Sequence, residues 1–393
     1  MVQRILDLIE IDPRRLISDL RRLAEFGRVG TGVDRPAFSE ADISARRWLS
    51  QRMREADLDA AIDRYGNVYG RSRAAAQTVL IGSHTDSVPK GGWLDGALGV
   101  IYGLEIARAC PAVDVISFEE EEGRYFPLLG VKSFCGLLDQ DLPQSLIAAL
   151  SGSGFDGPPA ALDKSRHLAY LEAHIEQGPK LEAAGKRIGL VTGIVGIRRV
   201  RITALGQADH AGTTPMSMRK DAGAALIRLA GAILDRFSSL AAADTVWNIG
   251  VIEVQPGAAN VVPARASMMV EFRDMDAARL ERMLGALNEL AAVSGKGSVA
   301  VEVQVTARIE PAPMDPRLGA AIAEASRALG EEALAMPSGA GHDAMIMTRA
   351  LPSAMLFIPS IGGRSHDIAE DSSEEDIVLG CRVLAAAVEK LLA

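Results

Sequence analysis

The sequence predicts an α/β protein of two domains, a small α+β unit inserted into a larger one, and three observations carry that prediction. The apolar runs Val79-Leu80-Ile81 and Val113-Asp114-Val115-Ile116-Ser117-Phe118 read as buried strands on either side of a helix-spaced segment, about 98–109. Strand, helix, strand implies parallel pairing, which puts both carboxyl ends on one edge of the sheet, where open α/β sheets form their ligand sites. From about residue 198 the order changes to strand, helix, strand, strand, helix, strand, the split βαβ pattern of a separate domain. The expected boundaries are 1–197 and 314–393 for the larger domain and 198–313 for the insert.

Taken in order, residues 14–26 and 39–56 carry helical spacing, with Ser39 as N-cap and Asp42 three residues on. Residues 63–71, with Gly66-Asn67 inside, read as strand and turn. The stretch 139–165, rich in glycine and proline, reads as a loop, and 168–178 as a strand stopped by Gly178-Pro179. In the insert, strands are expected at 198–205, 245–253, 266–273 and 299–309, and helices at 222–237 and 277–293. The chain then returns near Pro313 with helices at about 315–329 and 341–350, a strand at 354–358 and a capped helix from about Ser372.

At 393 residues, 48% hydrophobic and 24% charged, the chain can bury a full core. A net charge of −9 without a basic run argues against nucleic acid and anionic membranes as partners. Residues 1–20 alternate charged and apolar positions, so neither a signal peptide nor a membrane span is expected there. Cys110, Cys135 and Cys381 are widely spaced without a CxxC and fit reduced thiols in a cytoplasmic protein.

The chemistry concentrates where predicted strands stop. His84 ends the first strand, followed by Asp86 and, in the glycine-rich stretch Gly91-Gly92-Trp93-Leu94-Asp95-Gly96, by Asp95. Imidazole nitrogen and carboxylate oxygen suit zinc and its first-row neighbours, and Asp86 could hold the His84 ring with its far nitrogen on a metal. A packed, hydrogen-bonded histidine is the competing reading. Glu119-Glu120-Glu121-Glu122 follows the second strand, and two readings stay open for it: a solvated charge run, or a metal ligand with a base beside it. His174 ends another strand and His366 lies in the loop after the last one. His167 has no such context and reads as a surface residue; His342, beside Asp343, reads equally as a cap, a supporting residue or part of a site.

Six motifs together resemble a known family: Gly82-Ser83-His84-Thr85-Asp86-Ser87 with Asp95-Gly96, Glu121-Glu122-Gly123, His174-Ile175-Glu176-Gln177-Gly178-Pro179, His210-Ala211-Gly212-Thr213-Thr214-Pro215-Met216, Ser338-Gly339-Ala340-Gly341-His342-Asp343 and Ser365-His366. They are similar, in order from about residue 30 to 375, to the carbamoylase family of dinuclear metal amidohydrolases, within the aminoacylase-like metallopeptidases. The resemblance implies a mixed-sheet catalytic domain of aminopeptidase-like type with a βαββαβ lid and dimerisation domain. It implies His84, Asp95, Glu122, His174 and His366 as ligands of two divalent ions per subunit (zinc, or manganese, cobalt or nickel), with Asp95 bridging. It implies Glu121 as general base, and Gln177, His210, Asn260 and Arg273 as the substrate-binding set, with His210 reaching the other subunit's site in a homodimer.

The implied activity is hydrolysis of a C–N bond in a linear ureido or N-carbamoyl acid, releasing ammonia, carbon dioxide and the amine. The alternative is a related peptidase or N-acyl-amino-acid deacylase cleaving an ordinary amide. Arg273 ends a strand and Asn260 lies in the turn before it, so the two are expected to converge on a substrate carboxylate, for which a guanidinium fork beside an amide is suited. The sequence departs from the common pattern at Arg124-Tyr125-Phe126, at Glu271 where an Asp is usual, and at Arg364 and Asp367 around His366.

Overall fold

The computed structural model describes residues 9–138, 141–295 and 298–393. The chain divides into two compact units, Met1–Thr192 with Pro313–Ala393, and Gly193–Ala312.

The larger unit is built on a mixed sheet whose four central strands, Ser353–Ile358, His167–Ile175, Thr78–His84 and Val113–Phe118, are parallel. Every residue of Thr78–His84 and Val113–Phe118 is buried, as expected of strands covered on both faces. Gly189–Ile194 pairs antiparallel on one side, and Val68–Ser72 followed by Leu58–Ile62 on the other. The helix Ala97–Ala109 is buried along almost its whole length and lies close against the sheet. Gly99 permits this approach, because a Cβ there would come within 2.5 Å of the Ala173 carbonyl. Pro13–Ala24, Pro316–Ala328 and Glu374–Leu392 contribute to the same core. Among the described residues, no helix is long and apolar enough to cross a membrane.

The smaller unit is a four-stranded antiparallel sheet in the order Val246–Gln255, Arg265–Asp274, Gly196–Leu205, Ala300–Ile309. Alternate apolar residues, among them Val200, Ile202, Met268, Val270 and Phe272, turn inward and pack under the helices Ala222–Leu240 and Ala277–Ser294. Phe237 meets Phe272 edge-on at 5.0 Å between centroids, a geometry worth about 1 kcal/mol beyond the buried area. Asp221 and Asp276 cap the two helices. The strand Val246–Gln255 is one of the two edges, with Val251, Ile252 and Val254 open to solvent.

Four expectations need correction. Residues 144–153 of the supposed loop form a helix, held shut at its end by Gly154 at φ 71°, while 139–140 lie outside the described residues. The strand expected from 63 is the return arm, Val68–Ser72, of a hairpin that begins at Leu58. The helix expected at 341–350 is only Ala344–Met347. His167 is 2% exposed and opens its strand with Nε2 3.2 Å from Asp114 Oδ2. Asp114 also takes Nε and Nη2 of Arg166 at 2.7 and 2.9 Å and the Tyr69 hydroxyl at 2.8 Å, so His167 completes a buried polar cluster at the amino end of the sheet.

Candidate metal centre and active site

The parallel strands deliver their carboxyl ends to one edge, and the ligand-type residues arrive there from four of them. His84 is the last residue of its strand and His174 the last but one of its own. Asp95 sits in the turn before helix Ala97–Ala109, while Glu121 and Glu122 follow Phe118, and His366 lies in the loop after Ile358. Two triads result, His84–Asp95–His174 and Asp95–Glu122–His366, each with one ligand atom per residue within 4.8 Å of the others. Asp95 belongs to both: Oδ1 lies 3.9 Å from His84 Nε2 and 3.0 Å from His174 Nε2, and Oδ2 lies 3.3 Å from His366 Nε2. Glu122 Oε1 is 3.6 Å from His366 Nε2. Gly96 adjoins Asp95 at φ 64°, and a Cβ there would fall 2.4 Å from the His84 ring, so this turn demands glycine.

The ring orientations suit cations. His84 Nδ1 lies 3.0 Å from the Asp86 carbonyl and His174 Nδ1 2.9 Å from the Ile175 carbonyl, so both rings donate there and present Nε2 to the shared aspartate. Asp86 therefore holds the His84 ring, as the sequence suggested, and does so through its main-chain carbonyl. The carboxylate instead accepts the N–H groups of Glu121 and Glu122 at 3.4 and 3.2 Å, fixing the turn that aims both glutamates. Glu122 Oε1 is buried without a hydrogen-bond partner, and burial, then Asp95 and Asp86, raise its pKa to about 9. Burial, then Glu122 and Asp343, push Glu121 well above the usual carboxylate range. Burial would lower His174, but the Asp95 hydrogen bond and charge outweigh it and lift the imidazole to about 9. So crowded a set of carboxylates and imidazoles, holding protons it would shed for positive charge, fits divalent cations.

None of the four glutamates is part of a solvated run. Glu119 is buried against the Arg46 guanidinium, and Glu120 accepts the N–H groups of Tyr125 and Phe126. Glu121 Oε2 stands 3.8 Å from His84 Nε2, and Glu122 reaches the second triad. Gln177 donates Nε2 to both Asp95 oxygens at 3.2 Å.

Sequence reasoning passed over several supporting residues. Arg46 is fully buried and ties Asp42, Glu119 and Asp86 together. Glu172, two before His174 and so on the same strand face, accepts Ser83 Oγ at 2.7 Å and Ala344 N at 2.8 Å; strand alternation could have found it. His342, left open above, is buried with Nε2 2.9 Å from Ser338 Oγ and its ring 4.5 Å from that of His174. Arg124 donates to the Ala37 carbonyl and Arg364 pairs with Asp367.

In the smaller unit, His210 and Asn260 lie together. His210 pairs with Val261, and Ala211 N donates to Asn260 O at 2.9 Å, beyond the Leu205 end of the sheet. His210 Nδ1 accepts the Gly212 N–H at 3.0 Å, which leaves Nε2 as the protonated, donating nitrogen of a neutral ring. Arg273 is opposite Ile197, at the other end, with Nε and Nη2 on Glu271 Oε1 at 2.9 and 2.6 Å. Eight residues of strand separate Arg265 from Arg273, roughly 26 Å at 3.3 Å per residue. The expected convergence of Asn260 and Arg273 within one chain therefore does not occur.

Three imidazoles and one glutamate around a shared aspartate, with a further glutamate at the edge, have the composition of a metallohydrolase centre. Residues 80–390 match peptidase family M20/M25/M40. The chain is 34% identical to an N-carbamoyl-L-amino acid amidohydrolase of Geobacillus stearothermophilus, over 94% of this chain and 97% of that protein. It is 33% identical to an allantoate amidohydrolase of Escherichia coli (strain K12), over 92% and 93% of the two. A crystal structure of an amidase of the hydantoinase/carbamoylase family from Burkholderia phymatum superposes with a TM-score of 0.92 at 47% identity, covering 98% of each chain. The chain belongs to the M20 family and, within it, to the carbamoylase and allantoate amidohydrolase group, whose members are amidohydrolases.

Proposed function

We propose that this protein hydrolyses a linear ureido acid, an N-carbamoyl amino acid, allantoate or a ureidopropionate-like compound, to ammonia, carbon dioxide and the amine. The observation that carries the reading is the sharing of Asp95 between two ligand triads with Glu121 beside them. His84, Asp95 and His174 would hold one divalent cation and Asp95, Glu122 and His366 a second, zinc or manganese, cobalt or nickel. Bound there, the cations would supply Lewis acidity and a water acidified toward a pKa of about 7.

The chain's own groups do the rest. Glu121 takes the water's proton during attack and returns it to the leaving nitrogen. The Nε2–H of His210 donates to the developing oxyanion, and Gln177 orients the Asp95 carboxylate and the substrate near it. Arg273 grips the substrate carboxylate, so binding energy at one end aligns the ureido carbon at the other. Because His210 and Asn260 share one end of the smaller unit and Arg273 the other, we assign them to different subunits of a homodimer formed through this unit. Each site would then draw Arg273 from one subunit and His210 and Asn260 from the other.

The test is ammonia release by metal-reconstituted protein from a panel of N-carbamoyl amino acids, allantoate and ureidopropionate, beside their amidated forms, dipeptides and N-acetyl amino acids. The proposal expects ammonia only from ureido acids with a free carboxylate. Equal rates on the amidated forms, or faster release of amino acids from dipeptides or acetyl amino acids, would overturn it.

A further inference from the structure

We propose that Glu370 is a positioning residue that locks the shared Asp95 to the His366 loop, acting through Ser365 and Gln177. This rests on reading the site as a two-cation centre. Glu370 is 1% exposed, and the groups it reaches are main-chain N–H groups and a hydroxyl. Its Oε1 accepts the main-chain N–H groups of Leu94 and Asp95 at 3.2 and 3.0 Å, and its Oε2 accepts the Ser365 hydroxyl at 2.7 Å. Ser365 Oγ in turn accepts Gln177 Nε2 at 3.2 Å, the same nitrogen that donates to both Asp95 oxygens. The four residues close a ring that holds Asp95 at its backbone and at its carboxylate.

Three segments distant in sequence meet in this ring: the turn before helix Ala97–Ala109, the residues after strand His167–Ile175, and the loop after strand Ser353–Ile358. The direction of the relay is set by chemistry. A carboxylate at 370 can only accept, so Ser365 must donate to it and offer a lone pair to Gln177, whose NH₂ then faces Asp95. The fit of Glu370 over the turn is close, since a Cβ at Gly92 would lie 1.8 Å from Glu370 Oε1. His366 needs such an anchor most. Its side chain is 52% exposed and its backbone lies at φ 54°, whereas His84 and His174 are carried by buried strands. Without the ring, Asp95 and His366 drift apart, and the Asp95–Glu122–His366 triad weakens more than the triad in which His84 and His174 are fixed by buried strands.

The experiment titrates metal-free protein with Zn²⁺ against a competing chelator and records the thermal midpoint of the metal-free forms. Wild type should take up two cations. Glu370→Gln presents an NH₂ either to Ser365, reversing the relay, or to two main-chain N–H groups, breaking that contact. It and Ser365→Ala should each lower affinity for one of the two cations by about tenfold or more, lower the other markedly less, and keep the metal-free midpoint near wild type. Ser365→Thr, which retains the hydroxyl, should restore the lost affinity. Wild-type affinity at both positions in both variants would overturn the inference, as would equal loss at both positions or a collapsed metal-free midpoint, which mark a general brace. Wild-type protein that takes up fewer than two cations would overturn the two-cation reading and this inference with it.

Discussion

Subunit mixing can separate four residues that a single-chain view would place in one site. In a symmetric dimer whose sites take Glu121 and Arg273 from one chain and His210 and Asn260 from the other, each lesion disables a defined half of a site. Suppose His210→Ala and Glu121→Gln proteins, each inactive, are exchanged to equilibrium at equal concentrations. About half of the dimers are then mixed, and each mixed dimer holds one site with both residues intact, so activity should return to about one quarter of wild type. His210→Ala mixed with Arg273→Ala should recover to the same level, since these residues lie at opposite ends of the smaller unit. His210→Ala mixed with Asn260→Ala should recover nothing, because every site then receives one damaged partner residue. Exchange is verified by mass on differently tagged chains, and ammonia release is read per subunit. Recovery in the His210–Asn260 cross, or none in the other two after verified exchange, would refute the proposed division of labour, which the roughly 26 Å between the ends of the strand motivates.

Glu121→Gln should keep its metal content and lose roughly 10²-fold or more in kcat, while Glu122→Gln should lose cation affinity first; elemental analysis beside steady-state kinetics reads both, and swapped phenotypes would put the pair in the wrong register. Arg273→Lys should raise KM by about tenfold or more with a smaller change in kcat, since a point charge does not replace a two-pronged donor, and an unchanged KM would remove Arg273 from the carboxylate site. Asp114→Asn should cost about 3 kcal/mol of stability in urea at pH 7, because Arg166 is left buried without its anion. Burial would raise Asp114, but hydrogen bonds from His167, Arg166, Ser72 and Tyr69 outweigh it and hold the folded-state pKa well below the usual value. A depressed folded pKa stabilises fully above the unfolded value of about 3.9 and is lost as pH falls through the folded one, so the gap between variant and wild type should be flat from pH 8 to 5 and narrow in more acidic solution. A gap that widened in acid would contradict that sign.

The catalytic edge was legible because its residues obey rules that act along the chain. A buried strand must stop somewhere, and His84 and His174 stand where the apolar runs stop; the strand–helix–strand order then forces those stops onto one edge. The inserted unit was legible for the same reason, its alternating strands and capped helices each announcing themselves locally. What stayed hidden were contacts made by polar residues across long sequence distances. Glu370 looks like any acidic loop residue until Leu94 and Asp95 turn their N–H groups to it, and Arg46 reads as a surface helix position until Asp86 and Glu119 close over it. His167 was misjudged likewise, because its partner Asp114 lies 53 residues away inside an apolar strand.

The expected meeting of Asn260 and Arg273 fails for a different reason, distance along the sheet. Nearness to one strand was taken as nearness to one another, yet a strand is a spacer: residues before its start and at its end are held apart by its full length. The pairing of Arg273 with Ile197 and of Arg265 with Leu205 removes any way for one chain to bring them together short of dismantling the sheet. If both residues bind one substrate, two chains must supply them, and the same argument couples Asn260 to His210, which the short ladder of Asp209–His210 with Val261–Val262 keeps at the same end.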